Sequence, residues 1–289
     1  MRSLWMLVAA FLFACMGVLV KLSADHFTSI ELVFYRSLIG VAVIYLFVRY
    51  HRLTLKTNHW KTHCSRGLTG LGSLLMFFYC IIELPLATAI SLNYTWPLFM
   101  ALFSTFILRE QLHWSMVFAI ALGFAGVIFL LRPTLHDDHW IAALLGLASG
   151  FFAAIAYMNV KQLGNLGESE WRVVFYFTLI STLITGVWLL LTTFNPVTQQ
   201  NIHLLIGIGI TATLAQLAMT RAYRTGTTLV VSSLGYSTVL FAGIWGILIW
   251  NEILPPVAWL GMGLIILGGA LSGFLGHKIM PRMRKLKGN

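Results

Sequence analysis

The chain has 289 residues, of which 58% are hydrophobic and 10% are charged, and its formal net charge is +10. Soluble proteins carry about a quarter charged residues, so this composition excludes a water-soluble globular protein. The positive charge does not indicate nucleic-acid binding, because the cations cluster in connections between apolar runs and no basic run is interleaved with aromatic residues for base stacking.

Apolar runs of about 18 to 22 residues recur along almost the whole chain, which is typical of an all-α polytopic membrane protein. We predict ten transmembrane helices. Their spans lie near residues 4–22, 30–48, 66–82, 87–108, 113–131, 141–161, 171–192, 202–222, 228–250 and 256–275. The first apolar run resembles a signal peptide, but it is interpreted as a transmembrane helix because so many spans follow it.

The distribution of lysine and arginine predicts the orientation of these helices in the membrane. With a cytoplasmic N-terminus, all 19 cations except Lys21, Arg36 and Arg132, sixteen in total, lie on the cytoplasmic side. Cations concentrate in the cytoplasmic connections of membrane proteins. Both termini are therefore expected in the cytoplasm, and residues 277–289 are expected to form a basic cytoplasmic tail.

The chain also contains an internal repeat. An offset of 142 residues aligns Tyr94 with Tyr236 and Glu110 with Glu252. In each copy the tyrosine lies near the start of a long apolar helix and the glutamate lies at its end. Spans one to five thus recur as spans six to ten. The two halves are predicted as residues 1–133 and 134–276.

Shorter matches extend the repeat toward the start of each half. An offset of 140 aligns Lys21 with Lys161, and an offset of 141 aligns Phe34-Tyr35 with Phe175-Tyr176. Because five spans are an odd number, the second half must enter the membrane from the opposite side. Inverted repeats of this kind are a recurring plan of secondary transporters, which bind substrate near the midplane between the halves.

Glycines recur at close spacing in spans three, five and ten. Small residues at such spacing form close helix-packing or dimerisation faces. We expect packing within the chain, so that the protein is a monomer, and keep a homodimer through spans five and ten as the alternative.

Several segments resemble the EamA family of the drug/metabolite transporter superfamily. Segment 84–111, LPLATAISLNYTWPLFMALFSTFILREQ, is similar to the fourth helix of that family, with its leucine-proline entry, aromatic-x-x-proline step and closing glutamate. Arg36 matches an arginine common in the second helix, and the glycine-rich segments 123–127 and 267–270 are similar to the ends of the two halves. The repeat departs from the pattern at Val239, which stands where Pro97 would recur.

The resemblance implies ten helices in two inverted EamA units around a central cavity lined by helices one, three, four, six, eight and nine. The resemblance also implies that the protein lies in the inner (cytoplasmic) membrane of a cell. Members of the family move amino acids, nucleotide-like metabolites, vitamins or drugs, so the resemblance leaves the substrate open.

The fourth span contains the clearest candidate for a cavity wall. Pro97 removes a helical hydrogen bond, and freed backbone in a membrane must find a polar partner or water. The polar residues beside it either line a cavity or are satisfied by neighbouring helices. Gln216, an amide deep in span eight, is expensive in a membrane unless it is paired or hydrated. The predicted substrate-binding residues are Asn93, Tyr94, Trp96, Gln216, Tyr236, Ser233, Tyr157, Asn159 and Tyr79.

A second group of residues is predicted to have gating or structural roles. Arg36 lies inside span two, where it either pairs with Glu31, meets an anionic group of the substrate or extends toward the outer interface. Glu110 and Glu252 close equivalent helices on opposite sides of the membrane. The remaining members of this group are Pro97 and Glu83.

Other chemistries find little support in the chain. A GxxxxGK[ST] phosphate loop is absent, so ATP is not the motor within this polypeptide. The run of possible metal ligands at 136–139 lies in one loop and lacks a second cluster, so a membrane enzyme is disfavoured and no cofactor is expected. We predict a secondary transporter that exports a small amphipathic metabolite, such as an amino acid, its derivative or a drug-like compound. The alternative is uptake of a vitamin or nucleotide-like cofactor, such as a flavin or an S-adenosyl compound.

Overall fold

The computed structural model describes residues 4–108, 114–131, 139–192, 194–226, 231, 234–252 and 254–286. Every regular element within these ranges is a helix, which confirms the predicted all-α class. The helices are α1 (Trp5–Leu22), α2 (Ser29–Tyr50), α3 (Trp60–Glu83), α4 (Leu86–Asn93), α5 (Trp96–Leu108), α6 (Trp114–Leu131), α7 (Trp140–Asn165), α8 (Glu170–Leu190), α9 (Ile202–Thr225), α10 (Ser237–Trp250) and α11 (Pro256–Leu286).

These helices account for the ten predicted spans, because α4 and α5 together form the fourth. Six of the described helices, α1, α2, α3, α7, α8 and α9, are long and apolar enough to cross a membrane by themselves. Shorter apolar stretches lie at Val117–Leu130, Ser237–Trp250 and Pro256–Leu271. Helix α3 begins at Trp60, six residues before the predicted start, so Arg66, which the count of cations placed on the cytoplasmic side, lies inside the helix.

Local sequence explains how some helices begin and end. The Thr28 side chain accepts a hydrogen bond from the Glu31 backbone, and the Glu31 carboxylate accepts one from the Thr28 backbone at 2.8 Å, which forms a capping box at the start of α2. Pro85 precedes α4, and Asn251 ends α10 with a φ of 52°. Asparagine tolerates this left-handed conformation better than most residues, which makes it suitable at a helix end.

The packing of the helices follows the inverted repeat. Helix α3 packs extensively on α7, and the equivalent pair, α9 and α1, does the same. Helices α2 and α8, which are equivalent to each other, are also in direct contact, as are α6 and α11. The two halves therefore interlock around a central axis, and each wall of the interior combines helices of both halves.

Four glycines of the fifth and tenth spans, Gly123, Gly126, Gly261 and Gly268, lie at the interface between α6 and α11 within the chain. A Cβ on Gly126 would come within 2.7 Å of the Gly261 carbonyl oxygen, and one on Gly268 within 2.5 Å of the Gly123 nitrogen. The two backbones therefore touch along this line. These four glycines pack against each other inside one chain, in line with the packing interpretation, and the homodimer stays a prediction.

Candidate functional site

The fourth span is interrupted at its midpoint, between Asn93 at the end of α4 and Trp96 at the start of α5. Pro97 is the second residue of α5, a position at which its missing N–H leaves no helical hydrogen bond unmade. The Thr95 hydroxyl donates to the Leu92 carbonyl at 2.7 Å. The proline thus starts a new helix, and a neighbouring side chain satisfies part of the freed backbone.

Helix α7 lies directly against this break. A Cβ on Gly150 would come within 2.4 Å of the Thr95 hydroxyl and 3.0 Å of the Asn93 carbonyl, so only glycine permits this approach. The Asn93 amide donates to the Ser149 hydroxyl at 2.9 Å, and the Ser73 hydroxyl donates to the Ser149 carbonyl at 2.9 Å. The break is therefore held in place by α3 and α7.

A cavity lies beside the break, in the centre of the helix bundle. Its lining residues are Phe13, Met16, Arg36, Arg66, Gly70, Ser73, Leu74, Phe77, Ile90, Asn93, Tyr94, Ala153, Ala156, Tyr157, Phe177, Gln216 and Thr238. They come from both halves of the chain. The volume is about 60 Å³ of space for the centres of water molecules, which is room for several waters and less than a metabolite of the predicted size needs.

Four of the predicted binding residues, Asn93, Tyr94, Tyr157 and Gln216, line this cavity. The Tyr94 hydroxyl is 2.7 Å from that of Thr238, which joins the break to α10. The structure brings these four residues together, although they are spread over three helices and the break in the fourth span.

Two other predicted residues form a second layer behind the lining. Trp96 is 1% exposed and packs edge-on against Tyr157, with ring centroids 4.7 Å apart. The Tyr236 ring lies 6.2 Å from that of Tyr94, and Gly269 leaves the space that its hydroxyl occupies. Both residues are positioned to hold the lining tyrosines rather than to face the cavity.

Tyr79 and Asn159 do not line the cavity. Tyr79 lies in a separate groove with Ser29 and Trp188, and the Asn159 amide donates to the Ser65 hydroxyl at 2.9 Å. Each stands two residues beyond a lining residue of its helix, which turns its side chain about 200° away. Ser233 and Glu110 lie outside the described residues.

Two arginines that face the cavity change the expected character of the site. Arg36 on α2 is 2% exposed and Arg66 on α3 is 3% exposed. Their guanidinium carbons lie 5.5 Å and 4.1 Å from the centroid of the Phe177 ring on α8. Both side chains are buried, so the alternative in which Arg36 extends to the outer interface is wrong, and so is the placement of Arg66 among the cations of the cytoplasmic side.

Glu31 is not the partner of Arg36. Its carboxylate accepts hydrogen bonds from the Asn195 backbone at 2.6 Å and from the Asn195 side chain at 2.8 Å, as well as from Thr28. This carboxylate therefore connects the start of α2 to the segment before α9. The predicted pairing of Arg36 with Glu31 is therefore wrong, and contact with an anionic substrate group stays a prediction.

The described part of the chain supplies no carboxylate to balance the two guanidiniums. Gln216 offers its side-chain oxygen to Arg66 at 3.4 Å, which is long for a hydrogen bond. Cation–π contacts contribute about 0.5–2 kcal/mol each, whereas taking an ion out of water costs several kcal/mol. Phe177 therefore offsets only part of the cost of burying Arg36 and Arg66.

A glycine makes room for one of these arginines. A Cβ on Gly70, one turn after Arg66, would lie only 1.9 Å from an Arg66 Nη atom and 3.0 Å from the Phe177 ring. The guanidinium therefore folds back over the surface of its own helix. The pairing of Arg66 with Gly70 is the sequence signal that could have identified this cavity residue.

An ion pair joins several helices at the end of the bundle away from the N-terminus. Lys21, in the last turn of α1, bonds the Glu252 carboxylate after α10 and donates to the Leu84 carbonyl at 2.9 Å. Glu252 also accepts a hydrogen bond from the Leu86 backbone at 2.9 Å. Helices α1, α4 and α10 are thus joined at one point. Glu83, grouped with Glu252 among the predicted gating or structural residues, is not part of this ion pair and lies 4.0 Å from His139.

The opposite end carries a separate polar cluster around Glu168, between α7 and α8. The Glu168 carboxylate accepts hydrogen bonds at 2.5 Å from both Thr57 and Arg172. Burial raises the pKa of the Glu168 carboxyl, but these hydrogen bonds outweigh burial and hold the pKa below its ordinary value. The Glu170–Arg224 ion pair, at 2.8 Å, connects α8 to the end of α9 nearby.

Comparison with known proteins places this architecture among transporters. The profile of the EamA-like transporter family matches residues 2–132 and again residues 140–274. The chain is 30% identical over 265 residues to the pseudopaline exporter CntI of Pseudomonas aeruginosa, covering 92% of this chain and 93% of that protein.

Two further relatives of nearly equal coverage have different names. A riboflavin transporter of Vibrio cholerae is 29% identical over 93% of this chain and 91% of its own length. An S-adenosylmethionine uptake transporter of Rickettsia bellii is 24% identical over 92% and 91%. A solved crystal structure of another protein aligns with a TM-score of 0.69 at 18% identity, covering 96% of this chain and 99% of that one, which shows a shared fold.

Proposed function

We propose, from the premise that this chain belongs to the EamA-like transporter family, that it exports a small amphipathic metabolite across a bacterial cytoplasmic membrane by alternating access. The protein is a multi-pass membrane transporter of small metabolites and not an enzyme. One observation carries the finer proposal: a cavity at the break in the fourth span, with polar groups from both halves of the chain.

In this proposal Asn93, Tyr94, Tyr157 and Gln216 contact the substrate. Amide and phenol groups orient a ligand by hydrogen bonds, and the tyrosine rings offer apolar surface to the rest of it. Trp96 and Tyr236 keep the rings of Tyr157 and Tyr94 in position. Because the cavity has room for several waters only, a substrate enters when the halves move apart.

The Lys21–Glu252 pair supports a gate at the end of the bundle away from the N-terminus. The pair links α1, α4 and α10 and must separate before the cavity opens on that side. We place both termini in the cytoplasm, so this gate faces outward. The equivalent lysine at the other end, Lys161, is exposed, and its repeat-related partner Glu110 is proposed as part of the inner gate.

The direction of transport is proposed from the relatives. A named exporter matches at 30% identity across nearly the whole chain, which favours export. Uptake of a flavin or an S-adenosyl compound is the second candidate, because transporters named for those compounds match over similar lengths. Flux into inside-out and right-side-out vesicles separates the two directions.

The first experiment is a thermal-stability screen of the purified protein against amino acids, nucleosides, flavins and S-adenosyl compounds. A ligand at a hundred times its dissociation constant adds about 2.7 kcal/mol of stability. A compound that stabilises the protein is then tested for counterflow in proteoliposomes.

Matched variants test the placement of the site. Asn93→Ala should weaken binding and flux, whereas Asn159→Ala, which removes an amide outside the cavity, should leave both unchanged. Equal losses in the two variants, or none in Asn93→Ala, would contradict the assignment of the cavity as the substrate site.

A further inference from the structure

We infer that the transported substrate carries an anionic oxygen group, a carboxylate or a phosphate, which binds between the guanidinium groups of Arg36 and Arg66. This inference rests on the proposed function, because it names the substrate class of the same cavity. A neutral or cationic substrate would suit this cavity poorly, because two buried cations face it.

The two arginines keep hydrogen-bond donors available at the cavity. Within the described structure, the Nε and one Nη atom of each guanidinium have no hydrogen-bond partner, and both side chains are almost fully buried. Both cations lie near the Phe177 ring, which has no oxygen acceptor to offer them. The planar fork of arginine donors matches the paired oxygens of a carboxylate or phosphate.

The described carboxylates of the chain either have other partners or are exposed, and none is paired with Arg36 or Arg66. Those of Glu31, Glu83, Glu168, Glu170 and Glu252 lie near Asn195, His139, Arg172, Arg224 and Lys21, in that order. Asp25 is exposed in the connection after α1. Ionisable groups inside a membrane protein that lack a fixed counter-ion commonly mark the path of a charged substrate.

The surroundings of the arginines indicate the rest of the ligand. Phe13, Met16, Leu74 and Phe77 supply an apolar wall to the same cavity, and Tyr94 and Tyr157 supply phenol groups. A ligand that fits both parts has one anionic end and an apolar or aromatic body. A permanently cationic drug without an anionic group would meet repulsion from both guanidiniums.

The test uses pairs of probes that differ in one charged group. The full-length protein in detergent is titrated with N-acetylphenylalanine and its uncharged amide, and with flavin mononucleotide and riboflavin. The first pair tests a carboxylate and the second a phosphate. We expect the anionic member of at least one pair to bind about tenfold or more tightly than its neutral partner.

Inorganic phosphate and sulfate, exchanged for chloride at constant ionic strength, form a third arm that needs no organic ligand. Both anions should raise the thermal midpoint of the wild-type protein. Arg36→Gln and Arg66→Gln should abolish this rise and the preference within the pairs, and Arg36→Lys and Arg66→Lys should retain part of each. Arg49→Gln, which removes an exposed cation from α2, is the matched control and should behave like wild type.

The outcomes separate this inference from the transport proposal. Tighter binding of the neutral probes, or equal phosphate and sulfate responses in wild type and all variants, would overturn the anion site. Counterflow of a neutral or cationic metabolite that is unaffected by Arg66→Gln would keep the transporter and refute the anion. Arginine-dependent anion binding without counterflow of any compound in the screen would keep the site and refute the substrate classes named in the transport proposal. If a glutamine variant fails to fold, the corresponding lysine variant is compared with the wild type instead, and its partial loss of the anion response tests the site.

Discussion

Helices α2 and α8 occupy equivalent places in the two repeats, and they differ at the point where they meet. The offset of 141 residues that aligns Phe34-Tyr35 with Phe175-Tyr176 also aligns Arg36 with Phe177. These two residues contact each other across the cavity, with the guanidinium carbon 5.5 Å from the ring centroid. One repeat thus provides a cation where the other provides an aromatic surface.

This difference teaches how a symmetric backbone obtains an asymmetric site. The inverted repeat places the same helix twice around the cavity, so identical side chains there would treat both ends of a substrate alike. Arg36 and Arg66 both come from the first half, and Gln216 and Tyr157 from the second. A substrate with distinct ends would therefore bind in one orientation, which a carrier needs in order to recognise one class of compound.

The largest expected effect comes from displacing the guanidinium of Arg66 from the cavity. In Gly70→Ala the new Cβ would meet Arg66 at 1.9 Å, so the guanidinium must leave its place over Phe177. We expect substrate affinity to fall by about tenfold to a hundredfold, or about 1.4–2.7 kcal/mol, in a binding titration. Gly72→Ala is the control, because its Cβ would meet only Phe152 at an ordinary 3.8 Å; similar losses in the two variants would refute the role of Gly70.

Removing the aromatic ring of Phe177 should have the next largest effect. Phe177→Leu deletes the ring beneath both cations, and we expect the free energy of unfolding to fall by about 1–3 kcal/mol. Phe175→Leu serves as the control on the same helix, since its ring contacts Tyr176. Denaturation curves of the two purified variants measure the difference. A smaller loss for Phe177→Leu than for the control would argue against a cation–π contribution.

The asymmetry should extend to the two ends of the bundle, where Lys21 and Lys161 are equivalent. Lys21→Met leaves the partly buried Glu252 without its cation, and we expect a loss of about 1–2 kcal/mol of stability. Lys161→Met removes an exposed cation and should change stability by less than about 0.5 kcal/mol. Thermal midpoints of the two variants, compared with wild type, test this order; the reverse order would contradict a closing role for the Lys21–Glu252 pair.

The smallest expected effect concerns pH at the end of the bundle that carries Glu168. Because the pKa of this carboxyl is held below its ordinary 4.5, its contribution to stability is present at neutral pH and is lost as the pH falls through 4.5 and then through the folded-state pKa. Glu168→Gln should therefore be less stable than wild type at pH 7 by about 1 kcal/mol. We expect this difference to shrink near pH 4 in thermal scans, and a constant difference would contradict the prediction.

Much of the cavity could be predicted because helix breaks and buried amides can be recognised in the amino-acid sequence. Pro97 marked the break beside Asn93 and Tyr94, and Gln216 is conspicuous in an apolar helix. Arg66 was missed because a count of cations treats every arginine near a predicted helix end as part of a connection. The true start of α3 at Trp60 moves it into the bundle.

Tyr79 and Asn159 show a different limit. Both are polar residues in membrane helices, as are Tyr94 and Tyr157, yet they turn away from the cavity. Lipid and protein interior are both apolar, so hydropathy does not distinguish the lipid-facing side of a membrane helix from its cavity-facing side. The direction of each side chain depends on how the helix is rotated against its neighbours.

The sequence by itself determined the membrane class, the ten spans, the inverted repeat and the family, because a bilayer demands long apolar helices and a duplication leaves aligned residues. The tertiary structure alone decided that Arg36 and Arg66 meet over Phe177, that Glu31 binds Asn195, and that Lys21 binds Glu252. These pairs are separated by up to 231 positions along the chain. They form only when the two halves interlock, and the position of Arg36 and Arg66 defines the charge that a substrate would meet in the cavity.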